Sequence, residues 1–121
     1  MTTQEIANRY IELEKQGKWA EIQDELYSKD IISIEPEHAA AMGMQTVTTG
    51  IDAIKAKGIA FNEMIAEMHG GYCSEAVVGG DYFSVAMGMD CTMKTGQRMK
   101  MDEICVFEVK EGKIVKEQFF F

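Results

Sequence analysis

An α+β fold is predicted for this chain of 121 residues on three observations. Apolar residues at helical spacing are gathered in the first half, and segments of alternating apolar and polar residues fill the second. Glycine-containing turns, "GGD" at 79–81, "KTGQ" at 94–97 and "KEGK" at 110–113, separate those later segments as hairpins would. A chain of this length buries roughly two thirds of the surface it exposes when unfolded. A single domain over residues 1–121, built on one core, is expected.

The elements follow in order. Thr2 and Glu5 have capping-box spacing ahead of Ile6, Ala7, Tyr10 and Leu13, which share one helical face, and Gly17 marks a stop. Trp19, Ile22 and Leu26 give a second, shorter helix, antiparallel to the first because the connection is so short; Trp19 is assigned to packing between helices. Ile31 to Glu35 reads as a strand that ends at Pro36, the one proline, which cannot donate to a ladder. Residues 37–49 show neither period and read as loop. A third helix starts after Gly50, with Ile51, Ile54, Gly58 and Phe61 along one side; its end has two readings, Met64, Ile65 and Met68 continuing the helical stripe or "HGGYCSEAVV" marking a chain already extended by His69. Four antiparallel strands in a meander complete the chain. One sheet face packs on the helices and the other is open to solvent or to a second copy.

Composition excludes several classes. With 20 acidic against 12 basic residues the net charge is −8, which repels a phosphate backbone, so no nucleic acid partner is expected. No basic segment followed by an apolar one opens the sequence, and no apolar run approaches the ~20 residues of a spanning helix, so no membrane association is expected and the chain reads as cytoplasmic. Cys73, Cys91 and Cys105 are odd in number and lack metal-type spacing, which points to reduced, mostly buried thiols. With only His38 and His69 beside them, neither a metal nor another cofactor is expected. Ten methionines are many for this length; thioethers fill irregular space and suit an apolar cavity wall, with core filling expected for most of them.

The strand period isolates particular carboxylates. Between Arg98 and Val109 the odd positions read Met99, Met101, Glu103, Cys105, Phe107 and Val109, and this face belongs inside. Glu103 is then a carboxylate among apolar neighbours, where lost hydration raises its pKa and marks a functional candidate. The competing reading is structural, a buried glutamate bonded to a tyrosine hydroxyl or a backbone amide. Glu117 has the same two readings, on a face with Val115, Phe119 and Phe121. Asp90 falls on the outer face, opposite Phe83, Val85, Met87, Met89 and Cys91.

These residues resemble those of the nuclear transport factor 2-like superfamily, which holds the ketosteroid isomerases and the SnoaL-like cyclases. The order of elements is similar over nearly the whole chain. "GIDAIKAKGIAF" resembles the family's glycine-led third helix and "FEVKEGKIVKEQFFF" its closing hairpin. The resemblance implies a cystatin-like cone, three N-terminal helices on a curved, mostly antiparallel sheet enclosing a pocket. "RYIEL" at 9–13 and "IEP" at 34–36 are similar to ketosteroid isomerase, and place Tyr10 on its tyrosine donor and Glu35 on its aspartate base. Glu103 falls on its second, protonated donor if the "VKEG" turn carries one extra residue. The implied chemistry is proton abstraction beside a carbonyl while neutral donors hold the charge gathering on oxygen. Both carboxylates are one methylene longer than the isomerase's aspartates.

Tyr10, Glu35 and Glu103 are therefore the candidate catalytic residues. Met87, Met101, Cys105, Phe107, Glu117 and Phe121 are the candidate ligand-lining residues, with His69 either a pocket acid or base or a strand residue with a satisfied ring. His38 is expected to be exposed. Three functions stay open: an isomerase- or cyclase-type enzyme acting without cofactor on a small apolar carbonyl compound; a ligand-binding module without turnover; and a protein-interaction domain. Ile104, Val106 and the terminal "FFF" fit a homodimer through the exposed sheet face.

Overall fold

In the computed structural model, which describes residues 1–121, three α-helices and one short 3-10 helix lie against an open, curved, mixed sheet of seven strands. Helix α1 (Thr3–Lys15) starts at the capping box: the Glu5 amide donates to Thr2 Oγ1 at 3.1 Å, and the Thr2 amide donates to Glu5 Oε1 at 2.9 Å. Its stripe of Ile6, Ala7, Tyr10 and Leu13 is buried. Helix α2 (Trp19–Leu26) buries Ile22 and Leu26, and is tied to α1 where Arg9 donates to both carboxylate oxygens of Glu25 at 2.6 and 2.9 Å. Helix α3 (Ile51–Glu63) is entered through Gly50, whose φ of 91° a side chain would strain. The packing role of Trp19 is found at α2–α3: its ring lies over Gly58, where a β-carbon would stand 3.4 Å from it, and it stays 38% exposed.

The strands are β1 (Tyr27–Ile34), β2 (Val47–Thr49), β3 (Ile65–Cys73), β4 (Val77–Gly79), β5 (Tyr82–Met93), β6 (Arg98–Lys110) and β7 (Lys113–Phe120). They are arranged β2-β1-β7-β6-β5-β3, with β4 also paired to β5. Every pairing is antiparallel except β1 with β7. That parallel pair sets the end of β1, where Glu35 follows Ile34, beside the final strand.

Three details differ from the sequence expectation. Residues 37–49 are not featureless: Pro36 leads into a 3-10 helix (Glu37–Met42), and Val47–Thr49 pairs with β1 as β2. Neither element has enough residues to display a period. The first meander strand is split into β3 and β4 along β5, and Ser74 bridges the gap by accepting the Ala86 amide on its hydroxyl at 2.8 Å. Glu111 (φ 51°) and Gly112 (φ 74°) form the tight β6–β7 turn, and the pairing slips by one residue just after it. Ile114 is therefore buried in the place expected for Val115.

The core joins α1 and α2 to the inner face of β5–β7. Phe83 and Phe107 stack at 4.7 Å between centroids, and the Tyr10 ring lies 4.8 Å from Phe107 and 5.8 Å from Phe83. Each such contact adds about 1 kcal/mol to the area these rings bury. The outer face carries Tyr82, Ile104 and Phe120, each about half exposed.

Candidate active site

Beyond this core the helices and the sheet diverge around a cleft of about 980 Å³. Tyr10, Glu35 and Glu103 all line it, as do Met87, Met101 and Glu117. The other four lining candidates do not. Cys105 and Phe107 are fully buried in the core, because the sheet is covered by α1 at that level. Phe121 lies beyond the last ladder pair, edge-on to the exposed His38 ring at 5.3 Å. His69 is on β3, a strand at the end of the sheet, with Nε2 2.6 Å from Thr92 Oγ1 and outside the cleft wall.

Strand register brings the acids together. Ser33 is level with Glu117, Phe107 with Glu117, and Cys105 with Phe119, while Met87 is level with Glu103. Glu35, Phe119 and Glu103 thus occupy neighbouring positions on three adjacent strands or their ends. In β1 the inward positions are Ile31 and Ser33, and Glu35 continues them; it is 7% exposed, with its amide held by the Thr46 carbonyl at 2.8 Å.

Each acid has a different environment. Glu35 Oε1 accepts from Lys57 Nζ at 2.8 Å. Glu117 accepts the Tyr27 hydroxyl, and burial raises its pKa against the pull of that bond and of one from Ser33. Glu103 is pushed up to about 7, first by burial and then by the negative charge of Glu35. Glu14, one turn beyond Tyr10 on α1, also lines the cleft and is raised by burial. The Tyr10 hydroxyl has one partner, the weak acceptor Sδ of Met87 at 3.7 Å, and burial raises its pKa strongly. Burial also takes the Cys73 thiol up to about 11, which leaves little thiolate at neutrality.

Sequence reasoning passed over Lys57 and Tyr27. Lys57 stands three residues after Ile54 and four before Phe61, on the inward stripe of α3, and a lysine there is as anomalous as a glutamate among the apolar positions of β6. Its ammonium also lies 5.9 Å from the centroid of Phe119. Tyr27 gave no such signal, because its partner lies 90 residues away. The methionines differ from expectation as well: Met42, Met44, Met64, Met68, Met87, Met89, Met99 and Met101 all line the cleft, and only Met1 and Met93 do not. The exposed Met42, Met64 and Met68 lie at its open side.

What this arrangement can do is move a proton. It joins a carboxyl that titrates near neutrality, a phenol with a spare hydrogen, and an ammonium to a soft, apolar volume. Comparison with known proteins agrees with the fold. The family model described as a SnoaL-like domain matches residues 1–121. A Mesorhizobium loti structure, provisionally described as a SnoaL-like polyketide cyclase, is 37% identical with a TM-score of 0.91, and 100% of each chain is covered. A Xanthomonas campestris protein with a cystatin-like fold is 20% identical, TM-score 0.79, covering 99% of this chain and 90% of that one. A nuclear transport factor 2-like protein from Burkholderia pseudomallei is 18% identical, TM-score 0.78, covering 98% and 89%. No curated protein matches the sequence. No helix is long and apolar enough to cross a membrane.

Proposed function

Because the chain belongs to the SnoaL-like family, we propose that it is an isomerase- or cyclase-type enzyme that moves a proton on a compact, mostly apolar carbonyl compound held in the cleft, without a cofactor. The observation that carries this reading is Glu103, a carboxyl raised to about 7 on the cleft wall. An acid–base group serves best when its pKa lies near the working pH.

In this proposal Glu103 is the proton carrier. As carboxylate it takes a proton from carbon beside the carbonyl, and as acid it returns that proton to the rearranged product. Tyr10 donates its hydroxyl hydrogen to the substrate oxygen, exchanging a weak thioether contact for a developing oxyanion. The contact of Glu35 with Lys57 favours giving Glu35 the role of holding that lysine, rather than the base role that the resemblance to ketosteroid isomerase implies. Met87 and Met101 adapt the wall to the apolar body of the ligand. The same reading includes a homodimer through the outer sheet face, where exposed Ile104 and Phe120 are level with one another on β6 and β7.

The test is exchange of the acidic carbon-bound hydrogens of cyclic enones and 1,3-diketones in deuterated water. Exchange with the wild type, inflecting near pH 7 and lost in Glu103→Gln, supports the reading. Background exchange with every probe, or equal exchange in the variant, refutes it.

A further inference from the structure

Lys57 has three N–H donors and only one good acceptor in the protein. Glu35 Oε1 takes one at 2.8 Å, while the next acceptor, Ser33 Oγ, is at 3.5 Å, the outer limit of a hydrogen bond. The side chain is 29% exposed and lines the cleft. A cation with unspent donors therefore faces the volume that receives the ligand.

We infer that Lys57 is a second oxyanion-binding residue of the cleft, its charge adding to the Tyr10 donor, and that the ligands it selects are enolisable 1,3-dicarbonyl compounds and phenols, whose acidic oxygen it receives as the anion. The charges around it favour this. The groups facing Lys57 are Glu35 after β1, Glu103 on β6 and Glu117 on β7. Glu35 and Lys57 cancel. Burial disfavours the charged form of the other two. An arriving oxyanion thus meets one ammonium beside two acids whose charge burial disfavours. The other lysine on the cleft wall, Lys15, adjoins Glu14 in the chain, so its charge is offset there. The catalytic meaning of this inference rests on the proton-transfer reading above, whereas the binding itself does not.

The position of Lys57 explains why Glu35 is buried at all. A carboxylate on the inner face fixes the ammonium at one place, much as an outer-sphere carboxylate orients a ligating imidazole. Removing Lys57 alone would strand that charge, so a second variant is needed. Lys57→Met together with Glu35→Gln removes both charges and keeps both volumes.

The probe is 4-nitrophenol, whose phenolate absorbs visible light and whose phenol does not, with 4-nitrotoluene as the uncharged isostere. Titrated into the folded wild type, its apparent pKa when bound is expected to fall by at least about one unit, a tenfold preference for the anion. Both Lys57→Met and the double variant are expected to bind 4-nitrotoluene as the wild type does and to lose that preference. Equal affinity of the wild type for phenol and phenolate overturns the inference, as does a preference kept in the double variant. Phenolate binding that depends on Lys57 in a protein without hydrogen exchange refutes the enzyme reading alone. Exchange with phenolate binding that is independent of Lys57 refutes this inference alone.

Discussion

Lys57, midway along the third helix, places its ammonium 2.8 Å from the carboxylate of Glu35, at the residue just after the first strand. The pair joins the helical layer to the sheet on the cleft wall, and the Glu35 side chain is only 6% exposed. A buried carboxylate tolerates the loss of its partner poorly. Lys57→Met should lower stability by about 3 kcal/mol, with most of it recovered when Glu35→Gln is added. Urea denaturation of the four members of this cycle reads the coupling directly; additive losses would mean that the pair contributes little.

Gly88 is required by Tyr72. A β-carbon at Gly88 would stand 2.0 Å from the Tyr72 ring, which lies across the strand and donates its hydroxyl to Asp102 at 2.6 Å. Gly88→Ala should displace the ring and cost about 2 kcal/mol, as overpacking does. In a Tyr72→Ala background the same change should cost far less. Thermal unfolding of the single and double variants checks this.

The outer face gives a prediction about assembly. If Ile104 and Phe120 lie at a twofold interface, Ile104→Glu repeats a charge across the axis and should turn a dimer into a monomer in sedimentation equilibrium. Cleft binding of 4-nitrotoluene should survive, because Ile104 points away from the inner face.

Glu103 also makes stability depend on pH, with a definite sign. Its folded value of about 7 lies above the reference 4.5, so the native state holds a proton that the unfolded chain releases. Its contribution is most favourable below about pH 4.5, declines as pH rises to about 7, and is constant beyond. Discounted for partial solvent screening, the decline is about 2 kcal/mol. Glu14 and Glu117, also raised, act in the same direction, while Asp90 and Glu25, lowered by their arginines, act in the opposite one. The difference between the wild-type and Glu103→Gln curves isolates the one group, and a flat difference from pH 4 to 8 would contradict the assignment.

How much of this was legible in sequence depended on the range of the interaction. The capping box of α1, the inward face of β6 and the stop at Pro36 are local, and each was read from a few adjacent residues. Glu103 was legible because one polar residue interrupted a period-2 pattern. The Ile114 slip was not, since a bulge changes the phase of a strand without changing its composition. Phe107 and Met101 share the inner face of β6 and differ only in height, so periodicity could not say which one α1 covers and which one faces the cleft. Lys57 carried a local signal that was overlooked, while the bond between Tyr27 and Glu117 depends on the parallel pairing of β1 with β7, which no short segment encodes.

The proposed proton transfer requires Glu103 to be withdrawn from water beside Glu35. Carbon-13 NMR of the side-chain carboxyl groups, with Glu103 assigned by its loss in Glu103→Gln, follows this one titration in the intact protein. A midpoint near pH 7, shifting downward when Glu35→Gln removes the neighbouring charge, is the predicted result. A midpoint within the ordinary glutamate range, about 4 to 5, would contradict it.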